Sequence, residues 1–268
     1  MSNSIISETP ADLEKKAHPW RRCPLGKHLV REHSVNIPPS KKHPNGIISI
    51  RHEHCAANKS HKDELSYDEI QNITHTYFPF LQGSPTSKIL INEYSKSDNY
   101  DMEIRGWTKY WNEVFQPDEP LDPNLIKALI LTESSFEIDP KPKLNKDAHG
   151  LMQILTKTLH YLSDTKGELK NYLVCLTKEQ LLNPSANICA GTRWLFRKRE
   201  TATNKLKHKA TWVETIEDYK SFLDQKLENK PYNHEPMDRI NHYYHLLREN
   251  NNNNENKNPA SHIMLEPF

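Results

Sequence analysis

Ile126-Lys127-Ala128-Leu129-Ile130-Leu131-Thr132-Glu133-Ser134-Ser135-Phe136, followed after a polar loop by Gly150-Leu151-Met152-Gln153-Ile154, is the stretch of this 268-residue chain whose reading decides the fold. Asp122-Pro123 before it is a helix start: Asp is a favoured N-cap, and Pro is tolerated at the first helical position, where an N–H has no intrahelical partner. The apolar run then reads as a helix with Glu133 in its last turn. A carboxyl delivered by an apolar helix, at the end where the dipole disfavours an anion, is a candidate proton donor. Asn145-Lys146-Asp147-Ala148-His149 is turn-rich. Gly150 is expected to open a second helix whose Leu151, Ile154 and Leu155 recur at helical spacing, with Met152 and Gln153 at its N-terminus beside the acid.

These residues carry a resemblance. Glu133-Ser134-Ser135-Phe136 with Gly150-Leu151-Met152-Gln153-Ile154 resembles the paired motif of the soluble lytic transglycosylase family, a branch of the lysozyme-like fold that includes goose-type lysozymes. Asn183-Pro184-Ser185-Ala186-Asn187-Ile188-Cys189-Ala190-Gly191-Thr192-Arg193-Trp194-Leu195 resembles the family helix that follows. Over roughly residues 121 to 247 the resemblance implies a mainly α, lysozyme-like catalytic domain, with Glu133 catalytic and Ser134, Gly150, Leu151, Met152, Gln153, Asn187 and Tyr219 around the substrate. The family usually continues with Ala-Tyr-Asn-x-Gly. The best match here, Asp218-Tyr219-Lys220, keeps the Tyr, a partner for Glu133, and lacks the Asn and Gly that shape the loop. Glu235-Pro236-Met237 and Tyr243-Tyr244 fit the closing helix.

The resemblance also implies a chemistry. Glycoside hydrolases generally place two carboxylates across the scissile bond. A lytic transglycosylase uses one Glu twice: Glu133 would protonate the oxygen between N-acetylmuramic acid and N-acetylglucosamine, then take the proton of the muramoyl 6-hydroxyl as it attacks the anomeric carbon. No cofactor is implied, and the product is a 1,6-anhydro sugar. Glu137, Asp139 and Asp147 are candidates for a second carboxylate, which would allow lysozyme-like hydrolysis, although solvated loop charges are the commoner reading. Leu151, Met152 and Ile154 also fit a plain core face. Gln153 fits one less well, because a buried amide needs partners, and a sugar hydroxyl or N-acetyl group would serve. A catalytically inactive wall-binding relative is the reading that the altered Asp218-Tyr219-Lys220 segment supports.

Composition bounds the rest. Charge is balanced at +1, from 36 Lys and Arg against 35 Asp and Glu, so no strong pull toward nucleic acid is expected. No apolar stretch is long enough to span a bilayer. Met1 to Pro10 lacks the charged start and apolar core of a Sec signal peptide. Peptidoglycan lies outside the cytoplasm, so the expectation is a secreted or injected protein acting in the periplasm or cell wall. An antibacterial effector delivered by type VI secretion or a similar apparatus fits, with a secretion component or an immunity protein as further partners; a phage route and a trimmed leader are the alternatives.

Residues 1–62 read as a Pro-rich, β-rich module for binding, docking or delivery, in which short apolar runs such as Val35-Asn36-Ile37 and Ile47-Ile48-Ser49-Ile50 are separated by Pro and Gly turns. Cys23 and Cys55 bracket it. A disulfide is expected between them rather than a zinc site with His28, His33, His52 and His54, because the spacing fits no standard finger. Cys175 and Cys189 would form a second bridge or remain buried thiols. Residues 63–120 read as a helical connector ending in the Pro-rich break Gln116-Pro117-Asp118-Glu119-Pro120, with Trp107, Tyr110, Trp111 and Phe115 packed on the 121–248 domain. The Asn-rich run opening 249–268 reads as a disordered tail.

Overall fold

The computed structural model describes residues 20–81, 96–140 and 147–257. Met1 to Pro10, Asn145, Lys146 and the end of the Asn-rich segment lie outside them. Five strands come first: β1 (Lys27–Val30), β2 (His33–Ile37), β3 (Ile47–Arg51), β4 (His54–Ala57) and β5 (Glu64–Ser66). Then follow α1 (Tyr67–Tyr77), α2 (Asp101–Phe115), α3 (Pro123–Ser134), β6 (Ala148–His149), β7 (Ile154–Leu155), α4 (Thr156–Ser163), β8 (Leu173–Cys175), α5 (Pro184–Leu206), α6 (Trp212–Tyr219), α7 (Phe222–Leu227) and α8 (Glu235–Lys257). The molecule is mainly α, with a strand-rich N-terminal region.

Two antiparallel ribbons make that region. β1 pairs with β4, from Lys27 opposite Ala57 to Val30 opposite His54, and β2 pairs with β3, from His33 opposite Arg51 to Ile37 opposite Ile47. Cys23 and Cys55 are joined in a disulfide, with Cα atoms 5.6 Å apart, which leaves neither thiolate for zinc. Closing a loop of this length stabilises a small module by about 2–4 kcal/mol. Cys175 and Cys189 do not pair: Cys189 is buried, and burial beside Glu64 pushes the Cys175 thiol up to about 12.

The module is fastened to the helices by a buried cation. The Arg21 guanidinium pairs with Asp63 and with Glu69 at 2.9 Å, and donates to the carbonyls of Lys27 and Glu64. Burial opposes its charge, yet the two carboxylates outweigh that and hold its pKa above the ordinary Arg value. β5 then pairs in parallel with β8, Leu65 opposite Val174, tying the segment before α1 to a strand more than a hundred residues later.

Residues 63–120, expected as a connector, lie in the same core as the helices that follow. Trp107, Tyr110 and Trp111 of α2 are each at most 1% exposed and sit in one apolar cluster with Trp20, Ile70, Leu129 and Ile188. Both indoles have their N–H satisfied on α5: Trp107 Nε1 donates to Ser185 Oγ at 2.7 Å and Trp111 Nε1 to the Cys189 carbonyl at 3.0 Å. α5 is thus the axis of the body, buried from Ser185 to Arg193 without interruption. Its N-cap Asn183 accepts from the Ala186 N–H, and Pro184 fills the first position. α8 packs on α3, anchored by Met237, Ile240 and Leu247, and continues to Lys257 through the Asn-rich run read as a tail. Asparagine is a weak helix former, but once a helix is nucleated each added residue still gains a hydrogen bond.

Trp107→Ala removes a fully buried indole and leaves Ser185 Oγ without that donor. We expect it to lower the unfolding free energy by about 3–5 kcal/mol, measured by urea denaturation.

Candidate active site

The site begins with α3. Asp122 Oδ1 accepts from the Asn124 N–H at 2.8 Å and Pro123 takes the first helical position, so the helix starts where the sequence predicts. Its residues from Asn124 to Leu131 are all buried. Even Lys127 is buried, with its ammonium on Asp98 and Asp101 at 3.0 and 2.7 Å. Glu133 stands in the last turn with its side chain 15% exposed. Directly after it, Ser135 and Phe136 adopt φ of 51° and 62°, a left-handed pair that ends the helix sharply. Non-glycine residues there cost of order 1 kcal/mol or more each. The fully buried Phe136 ring, stacked 6.3 Å from Tyr100, holds that turn in place.

The second motif is not a helix start. Gly150 to Gln153 form a turn between β6 and β7, and the helix expected at Gly150 begins only at Thr156. The physical reason is backbone conformation: Gly150 has φ 71° and Gln153 has φ 47°, both outside the helical region. Asn187, on α5, fixes the turn from behind. Its Oδ1 accepts from the Met152 N–H at 2.8 Å, and its Nδ2 donates to the carbonyls of His149 and Leu181. A Cβ on Gly150 would lie 2.0 Å from that amide nitrogen, and one on Gly191 would lie 2.3 Å from Met152 Sδ. Glycine is therefore required at both positions by close approach, to Asn187 at Gly150 and to Met152 at Gly191.

The turn and the end of α3 flank a cleft of about 560 Å³. Of the residues read from the sequence, Glu133, Gln153 and Tyr219 line it. Ser134, Gly150, Leu151, Met152 and Asn187 do not: all are buried behind the wall, Ser134 donating to the Ile130 carbonyl within its own helix. Tyr219 does not bond Glu133. Its hydroxyl donates to the Met152 carbonyl at 2.6 Å, bracing the turn from the cleft side. Burial first, and the nearby Glu133 charge second, push its phenol well above the ordinary tyrosine value, so it remains a donor.

Glu133 is instead bonded by Lys220. The Lys220 ammonium lies 2.5 Å from Glu133 Oε1, with both side chains nearly buried, at 12% and 15% exposure. An ion pair so shielded from water is stronger than one at the surface. Trp194, Glu235 and Arg239 also line the cleft, with Trp194 stacked on Tyr161 at 5.9 Å. Sequence reading missed these as site residues, although Trp194 stands in the quoted family helix, Glu235 in the segment read as the closing helix, and Lys220 next to the retained Tyr219. The loop carboxylates lie elsewhere: Glu137 pairs with Lys96 and Asp147 accepts from Thr156 Oγ1, and neither they nor Asp139 line the cleft.

Among the described residues, no group of three or more His, Cys, Asp or Glu side chains is arranged to hold a metal ion, and no helix is long and apolar enough to cross a membrane. Residues 111–221 match the family model of the transglycosylase SLT domain, a lysozyme-like, mainly α domain. The matched span runs from Trp111 to Ser221 and so contains Glu133, the Gly150 turn, Asn187 and the Tyr219-Lys220 pair. No curated protein and no solved structure matches the chain.

Asn187→Ala leaves the Met152 N–H and two buried carbonyls without their partner. At about 1–3 kcal/mol for a stranded buried group, the expected loss is about 3 kcal/mol in a thermal or urea melt. Retention of full stability would mean that the turn holds itself.

Proposed function

We propose that this chain, which carries a transglycosylase SLT domain over residues 111–221 and so has a peptidoglycan lytic transglycosylase-type function, cleaves glycan strands with Glu133 as its single acid and base. The observation that supports this most directly is the placing of Glu133 in the last turn of a helix buried from Asn124 to Leu131, on the wall of a cleft that Gln153 and Tyr219 also line.

In this reading Glu133, protonated, gives its proton to the oxygen linking N-acetylmuramic acid to N-acetylglucosamine as the C1–O bond breaks. The carboxylate left behind then removes the proton of the muramoyl 6-hydroxyl while that oxygen bonds to C1. The 1,6-anhydro ring closes and Glu133 regains its proton. Gln153 keeps one amide hydrogen bond to the Gly150 carbonyl and presents its side chain at the cleft, where it suits an N-acetyl or hydroxyl group. Lys220 acts on the same carboxylate. Its ammonium bonds Glu133 Oε1 at 2.5 Å and so stands beside the charge that the first proton transfer leaves. A saccharide entering the cleft must loosen that pair before Glu133 acts as an acid.

One observation favours a second reading. Glu235 also lines the cleft, and a second carboxylate is what lysozyme-like hydrolysis uses. The products separate the two: anhydromuramoyl ends by mass spectrometry mean transglycosylation, and reducing ends, lost in Glu235→Gln, mean hydrolysis. The Cys23–Cys55 disulfide supports action in an oxidising compartment such as the periplasm.

Glu133→Gln is expected to lower the rate of release from purified sacculi on the order of 10³-fold with the fold intact; equal rates would remove Glu133 from the chemistry. Lys220→Asn removes the ammonium bonded to Glu133 Oε1 and with it the cation beside the carboxylate formed in the first transfer. The rate of release from sacculi is expected to fall about tenfold, and an unchanged rate would show that Lys220 has no hold on the acid.

A further inference from the structure

The β2–β3 hairpin takes no part in the cleft and is covered by nothing in the described body. Of its ten strand residues only Val35 and Ser49 are even half-buried. Yet it carries large aliphatic side chains in water: Ile48 is 71% exposed, Ile50 57%, Ile47 42% and Ile37 41%. Directly opposite residues of an antiparallel pair share a face, so the register puts Ile37 and Ile47 on one face, and Ile48 and Ile50 on the other, beside Asn36 and Ser34. Three of the four flank the turn, which holds Lys41, Lys42 and His43, all exposed.

The charge of this region departs from that of the chain. Residues 22–62 contain eight Lys or Arg and only two Asp or Glu, within a protein whose net charge is +1. Both acids already have partners inside the module, Glu32 on His52 and Glu53 on Arg22. Lys41, Lys42 and Arg51 therefore face solvent with no acidic partner among the described residues.

We infer that the tip of the β2–β3 hairpin is a docking element for an anionic lipid bilayer surface. The isoleucines flanking the turn reach the boundary of the acyl chains while the long Lys41 and Lys42 side chains bend back to the lipid phosphates, the combination that holds amphipathic elements at membrane interfaces. Two observations select this occupant. A flat protein surface covers one face of a ribbon, whereas aliphatic side chains here lie on both faces near the tip, so immersion tip-first is what covers them together. A glycan is usually gripped by aromatic stacking, and residues 21–66 contain no Phe, Tyr or Trp. Such docking would keep the enzyme at the layer where peptidoglycan meets a membrane.

The test uses the full chain with sedimented vesicles of phosphatidylcholine alone or containing about a quarter phosphatidylglycerol, and with purified sacculi. The expected result is partition onto the anionic vesicles only, weakened by salt. It should fall at least about tenfold in Ile47→Ser with Ile48→Ser, and also in Lys41→Glu with Lys42→Glu. Circular dichroism and an unchanged melting temperature establish that each variant is folded. No partition of the wild type, equal partition by the serine variant, or loss of sacculus binding instead of vesicle binding in these variants would overturn the inference, the last in favour of a wall polymer.

Discussion

One buried amide organises this site. Asn187 is fully enclosed, and its three hydrogen bonds all go to backbone, at His149, Met152 and Leu181. A backbone N–H or C=O left alone at that depth is costly, so the turn from Gly150 to Gln153 has one arrangement available rather than several. The constraint passes outward. With the Met152 carbonyl fixed, Tyr219 has its acceptor; with Tyr219 placed, Lys220 is set opposite Glu133. The acid is held from the other side by the left-handed pair Ser135 and Phe136. The geometry of the cleft wall rests on groups buried behind it.

That arrangement explains what the sequence could and could not reveal. The start of α3 was legible because Asp122 and Pro123 act on the helix that directly follows them, and Glu133, which the resemblance implies is the catalytic acid, lines the cleft. The Gly150 segment was not legible as a turn. Leu151, Met152 and Ile154 are buried, as their spacing suggested, but burial does not distinguish a helix from a tight turn pressed against one. The deciding partner, Asn187, lies 35 residues away. Lys220 shows the same limit. The departure from the family pattern was visible at that position, whereas its meaning, a cation on the acid, is a contact across 87 residues. The strand-rich N-terminal region followed from local pattern, and the mainly α character from the resemblance; that Trp107, Tyr110 and Trp111 are core followed from their spacing and size.

The two halves of the molecule obey different physics. Around α5 the interior is dense, aromatic and hydrogen-bonded, with rings from Phe115 to Phe196 and Trp212 in contact at about 5 Å. In the N-terminal ribbons little apolar surface is covered, and order rests on one disulfide and on Arg21 held between Asp63 and Glu69. Reducing conditions would therefore loosen the N-terminal ribbons far more than the helical body.

The parallel pairing of β5 with β8 has a consequence for how the chain comes together in time. Leu65 and Val174 are brought side by side only after everything between them, including α1, α2 and α3, has been made. Contacts between such distant segments form slowly because a long loop must close first. During synthesis β5 therefore waits with an unpaired edge until the ribosome has released residues beyond 175. A fragment beginning at Trp111, where the match to the family model begins, lacks β5 and would leave the same edge of β8 bare.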